Sequence, residues 1–245
     1  MAEIHTFETL EKLMRKAADL VLETALESVR LRGRFVWLLS GGTTPAGLYR
    51  LLVDESAEYA ARMPWQQTFV FWGDERWVPP DDPQNNARMA TEALLSRVPV
   101  PATNSHPIST VGVPPEDAAA AMERQMRSLY QQAEPRPDFV LLGLGEDGHT
   151  ASLFSGTAAM TEDRLLYTAT YVPKLYQWRV TAALPLLNAA RTILFLVTGG
   201  EKAQAVRQVL APEPETIVLP ASLVRPASGR LLWFLDRAAG ELLPY

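Results

Sequence analysis

Phe139-Val140-Leu141-Leu142-Gly143-Leu144-Gly145-Glu146-Asp147-Gly148-His149-Thr150-Ala151-Ser152-Leu153-Phe154 is the stretch on which the reading of this chain turns. Four apolar residues in unbroken succession read as a strand buried on both faces, and the glycines after them end it in a loop. That loop gathers three glycines, two carboxylates and one of only three histidines in 245 residues. A side chain that exchanges a proton near neutral pH, placed at the carboxyl end of a buried strand, stands where an α/β enzyme puts its base. His149 also reads as an ordinary loop histidine, and spacing alone does not say whether Asp147 reaches its ring.

Working outward, Phe35–Leu39, Phe69–Trp72, Ile193–Val197 and Leu231–Leu235 are runs of the same kind. Between them lie helical patterns. The first runs from Phe7 to Arg32, capped by Thr6, ended by Gly33, with Leu10, Leu13, Met14, Ala17 and Val21 on one face. Further helices are predicted over Pro45–Val53, Asn86–Leu95, Glu116–Tyr130 and Glu201–Leu210. Alternating strands and helices predict an α/β fold, an open, mostly parallel sheet with helices on both faces. Pro-rich segments at Val78–Pro83, Val98–Pro107 and Pro212–Pro214 read as surface connections. With no repeat or long linker, the reading is a single domain over residues 1–245, with a small lobe within 81–137 over one sheet edge.

Composition narrows the function. The chain is 47% hydrophobic and 21% charged with a formal net charge of −5, a poor match to nucleic acid or an anionic membrane. A few local cations would still serve a small anionic ligand. Without cysteine there is no disulfide, thiol nucleophile or thiolate metal site, and no HxxxH pair suggests a metal. Met1–His5 lacks the features of a signal peptide and no apolar run is long enough to span a membrane, so a soluble cytoplasmic protein is expected.

Four more segments carry candidate chemistry. Ser40-Gly41-Gly42-Thr43-Thr44-Pro45 joins a strand to a helix. Its glycines allow close approach of backbone to a ligand, and the N–H groups of the helix start would hold an anion. The same residues also read as a tight turn with a threonine cap. Trp72-Gly73-Asp74-Glu75-Arg76-Trp77-Val78-Pro79 places three charges after another strand. Arg76 suits a phosphate and Asp74 a hydroxyl or catalytic group; the alternative is a solvated loop of local ion pairs, against which the flanking tryptophans speak. Arg179, in the stretch Val172–Thr181, is a candidate anion ligand or a surface arginine. Lys202, in Val197-Thr198-Gly199-Gly200-Glu201-Lys202-Ala203, falls in a first helical turn, where a cation opposes the helix dipole unless an anion neutralises it; otherwise it is an ordinary exposed lysine.

These segments, with Asp82–Ala90, Arg179–Asn188 and Leu219–Leu223, together resemble the 6-phosphogluconolactonase family, nearly end to end and in family order. The resemblance implies a Rossmann-like fold shared with glucosamine-6-phosphate deaminase, ribose-5-phosphate isomerase and CoA transferases. It implies hydrolysis of 6-phospho-D-glucono-1,5-lactone without metal or organic cofactor, by a monomer or small homo-oligomer acting on a small sugar-phosphate lactone. It further implies His149 as the general base, Arg76, Arg179 and Lys202 as cations of the substrate pocket, and Gly41, Gly42, Thr43 and Thr44 as the loop beside the substrate. Asp147 would orient His149, and N–H donors or a cation such as Arg76 would stabilise an oxyanion. Two rivals remain. An amino-sugar-phosphate deaminase or isomerase on the same scaffold would want a carboxylate where Phe154 stands. A non-catalytic sugar-phosphate sensor would leave His149 without a task.

Overall fold

The computed structural model describes residues 2–54, 56, 58–213 and 217–244. Ten strands and seven helices alternate in it: β1 (Glu3–Phe7), α1 (Leu10–Arg32), β2 (Phe35–Leu39), α2 (Thr43–Leu52), α3 (Tyr59–Arg62), β3 (Thr68–Trp72), β4 (Asp74–Arg76), α4 (Asn86–Ala93), β5 (Ser105–His106), α5 (Pro115–Tyr130), β6 (Phe139–Leu142), β7 (Tyr167–Val172), β8 (Gln177–Ala182), α6 (Leu184–Ala189), β9 (Thr192–Val197), α7 (Ala203–Leu210) and β10 (Arg230–Asp236). Seven strands form one sheet in the order β1-β10-β9-β6-β2-β3-β5, every pair parallel. The five apolar runs of the sequence are its five central strands. Phe35, Trp37, Phe139, Phe195 and Phe234 are buried in it, because a sheet covered on both faces hides every side chain of its inner strands. Full burial of each such side chain contributes about 1.5–3 kcal/mol.

The strand order reverses between β2 and β6. The chain goes from β2 to β3 on one side, then returns to lay β6 against the other side of β2. At such a reversal the loops leaving the two strands diverge and open a crevice at their carboxyl ends. Here those loops are Ser40–Pro45 and Gly143–His149.

Two expectations are corrected. The first helix starts at Leu10, not Phe7: the Thr9 side chain accepts the Lys12 N–H at 3.2 Å, and Gly33 ends the helix at φ 72°. Thr6, expected as the cap, lies in the edge strand β1 opposite Leu235. Leu10, expected on the buried face, is 54% exposed, whereas Leu13, Ala17 and Val21 are buried. Asp74–Arg76, expected in a partly enclosed loop after the strand Phe69–Trp72, is likewise a strand. It is β4, part of a second sheet of order β4-β8-β7, all antiparallel. Gly73 is the hinge between the sheets, its N–H donating to Leu39 O at 2.8 Å and its carbonyl accepting from Ala182 N at 2.7 Å. Of the expected surface connection Pro212–Pro214, Pro214 lies outside the described residues. Among the described residues no helix is long and apolar enough to cross a membrane.

Candidate active site

A cleft of about 370 Å³ opens at the carboxyl edge of the large sheet. Gly41, Gly42, Thr43, Thr44, Asp74, Arg76, His149, Arg179 and Lys202 all line it, drawn from loops after β2, β6 and β9 and from both β4 and β8. Asp147 does not line the cleft and instead meets the imidazole from the side, Oδ1 lying 2.5 Å from His149 Nδ1. The same oxygen accepts the His149 backbone N–H at 3.2 Å. One carboxylate oxygen therefore holds His149 at both backbone and ring, and the ring contact fixes the tautomer with the proton on Nδ1 and leaves Nε2 as the basic nitrogen. Phe154 stacks on the ring with centroids 4.0 Å apart. The position a deaminase would fill with a carboxylate is thus a packing wall.

The loop closes on itself to make this possible. Gly145 N–H donates to His149 O at 2.8 Å and Gly148 N–H to Gly145 O at 2.9 Å. A Cβ on Gly145 would fall 2.0 Å from His149 Nδ1, so no other residue fits against the ring there. On the opposite wall, a Cβ on Gly41 would fall 1.9 Å from Asn86 Oδ1, and Thr44 Oγ1 lies 2.7 Å from Thr198 Oγ1, tying the loop after β2 to that after β9. No side chain caps α2, so the N–H groups of its first turn have no partner within the helix.

The small sheet supplies the charge. In the β4–β8 register Arg76 is directly opposite Arg179. Two guanidinium groups in cross-strand opposition repel one another, and the Nε atoms of both are buried without a hydrogen-bond partner. Arg76 donates from Nη1 to Gln84 O at 2.8 Å. Desolvation lowers the Arg179 pKa, opposed by Asp74. Lys202 stands in a helical turn as expected, at the end of the 3-10 turn Gly200–Lys202 that runs directly into α7, with Nζ 3.6 Å from Glu146 Oε1. Burial, reinforced by Arg179, Lys202 and Arg76, pushes the His149 pKa down to about 4 against the pull of Asp74, so the imidazole is neutral at pH 7.

Several supporting residues were not singled out by the sequence. Ser152 Oγ donates to Asp74 Oδ2 at 2.6 Å, and Asn86 Nδ2 to Asp74 O at 2.9 Å. Glu75 is fully buried and accepts the N–H groups of Asn86 (2.7 Å), Arg76 (2.8 Å) and Ala87 (2.8 Å), tethering the start of α4 to β4. Burial pushes its carboxyl up to about 7, against those three donors. Lys174 reaches the second oxygen of Asp147. Glu75 and Lys174 stand in stretches that drew notice, yet their partners are remote in sequence and no local pattern points to them.

The family model of glucosamine-6-phosphate isomerases/6-phosphogluconolactonase matches residues 8–233. The 6-phosphogluconolactonase of Nostoc sp. is 40% identical over 235 residues, 94% of each chain. The structure of 6-phosphogluconolactonase from Trypanosoma cruzi superposes with a TM-score of 0.87 at 30% identity, covering 100% of this chain and 98% of that one. A monomeric glucosamine-6-phosphate deaminase shares the architecture at a TM-score of 0.80 and 22% identity, over 98% of this chain and 100% of its own.

Proposed function

The chain belongs to the 6-phosphogluconolactonases, lactone hydrolases of the glucosamine-6-phosphate isomerase/6-phosphogluconolactonase family, and from that premise we propose that it hydrolyses 6-phospho-D-glucono-1,5-lactone to 6-phospho-D-gluconate with His149 as general base. The observation that carries the reading is the Asp147–His149 contact of 2.5 Å beside a pair of opposed arginines. The cleft brings together a neutral, oriented base and a cationic seat for a phosphate.

His149 Nε2 takes a proton from water as the water oxygen bonds to C1 of the lactone. The carbonyl electrons move onto oxygen, and the resulting oxyanion is stabilised by backbone N–H donors of the glycine loops that line the cleft. Collapse of the intermediate restores the carbonyl and breaks the bond from C1 to the ring oxygen. The imidazolium returns its proton to that departing oxygen, and the carboxylic acid formed gives up its proton to solvent. Asp147 stabilises the imidazolium while it exists. The phosphate takes no part in bond making; held by Arg76, Arg179 and Lys202, it places C1 at the base.

General-base action contributes about 10²–10⁴-fold. His149→Ala should lower kcat by that factor with modest change in KM, measured on freshly made lactone above its spontaneous hydrolysis. Wild-type turnover in this variant would remove His149 from the chemistry.

A further inference from the structure

We propose that Lys174 is a positioning residue for this reaction: from the tip of the β7–β8 hairpin it shares the Asp147 carboxylate with His149 and so holds the carboxylate, and through it the imidazole, in working alignment. The inference rests on His149 acting as the base. Lys174 sits in a tight turn, Pro173–Leu175, closed by the Tyr176 N–H donating to Pro173 O at 3.1 Å. Tyr176 follows in the left-handed region at φ 50°, so the turn reverses sharply and sends the chain back as β8. Lys174 Nζ contacts Asp147 Oδ2 while Oδ1 of the same carboxylate is 2.5 Å from His149 Nδ1. The ammonium also lies 4.7 Å from the centroid of the Phe154 ring, which stacks on the imidazole. Lys174 therefore touches both groups that bracket His149 without touching the cleft. Partial burial lowers its own pKa, the cost of leaving water for this contact. Leu175, the next residue, lines the cleft, and the returning strand carries Arg179. One hairpin thus supports the base and supplies part of the anion seat.

The charge logic has a definite sign. Asp147 and Asp74 favour the imidazolium; Arg179, Lys202 and Arg76 oppose it. Lys174 engages Asp147 from the far side and divides its negative charge. Removing Lys174 leaves the carboxylate to the ring alone, so the imidazolium is favoured and the base is protonated up to a higher pH. Both partners are partly exposed, which limits the effect to about half a pH unit.

The test is a titration of the His149 ring by NMR, one of three histidines, in wild type, Lys174→Met and Lys174→Arg, together with kcat and KM across pH. Lys174→Met should raise the titration midpoint by about half a unit and move the acid limb of kcat/KM with it. It should lower kcat by several fold and leave KM within about twofold; Lys174→Arg should restore wild-type behaviour. In an Asp147→Asn background the same substitution should do nothing further. An unmoved midpoint with unchanged kcat overturns the proposal, as does an undiminished effect of Lys174→Met in the Asp147→Asn background. Should Lys174→Met fail to fold, Lys174→Gln carries the same readings. The ring titration does not depend on turnover, so activity surviving in His149→Ala would reject the base while leaving the linkage independently measured.

Discussion

The large sheet is parallel, apolar and covered on both faces; the small one is antiparallel, short, and carries the charges. The large sheet's contribution to the cleft is backbone geometry: glycine loops at the carboxyl ends of β2, β6 and β9, and the imidazole that one of them presents. The small sheet contributes side chains, Asp74 and Arg76 from β4 and Arg179 from β8. Hydrophobic burial makes the first sheet a firm base for the glycine loops at its carboxyl edge. The second, anchored through Gly73, sets two guanidinium groups against each other, an arrangement that is costly until an anion arrives. On the proposed mechanism the large sheet carries the chemistry and the small one most of the grip, joined by Lys202 from the loop after β9, and variants in each should fail differently.

The largest effect is expected on the large-sheet side. Gly145→Ala puts a methyl where the His149 ring stands, so kcat should fall by about 10²-fold or more as the base is displaced. Wild-type kcat there would mean that the loop has slack and the ring is not pinned. Next comes the small sheet. Arg179→Ala removes a charge-assisted contact worth about 1.5–3 kcal/mol, which should raise KM by about 10- to 100-fold with a smaller change in kcat. A fall in kcat with KM unchanged would move Arg179 from binding to transition-state stabilisation. The smallest effect on activity concerns the tether between β4 and α4, whose loss is read in stability. Glu75→Ala strands three N–H donors now satisfied by its carboxylate, each costing about 1–3 kcal/mol when buried and unpaired. Calorimetry should show the unfolding midpoint lowered by about 6 °C or more, and an unchanged midpoint would show that water replaces the carboxylate there.

The same division explains what the sequence disclosed. Strands buried on both faces must be apolar throughout, so β2, β3, β6, β9 and β10 read directly from their runs. The edge strand β1 was hidden because it mixes polar and apolar residues, Glu3-Ile4-His5-Thr6-Phe7, and because Thr6 looks like a helix cap. β4 was hidden because three charged residues carry no strand pattern; its pairing with β8, about a hundred residues away, makes it a strand. The loops bearing Gly41, Gly42, Thr43, Thr44, His149 and Lys202 were legible because glycines after apolar runs mark strand ends. That Arg76 would face Arg179, that Glu75 would cap α4 and that Lys174 would reach Asp147 are consequences of tertiary pairing with no local trace.

The most direct measurement is a crystal structure with 6-phosphogluconate bound. The account predicts the phosphate against the opposed guanidinium groups of Arg76 and Arg179, with Lys202 near, and the new C1 carboxylate within hydrogen-bond distance of His149 Nε2. A product lying the other way round, phosphate at His149 and carboxylate at the arginines, would contradict it.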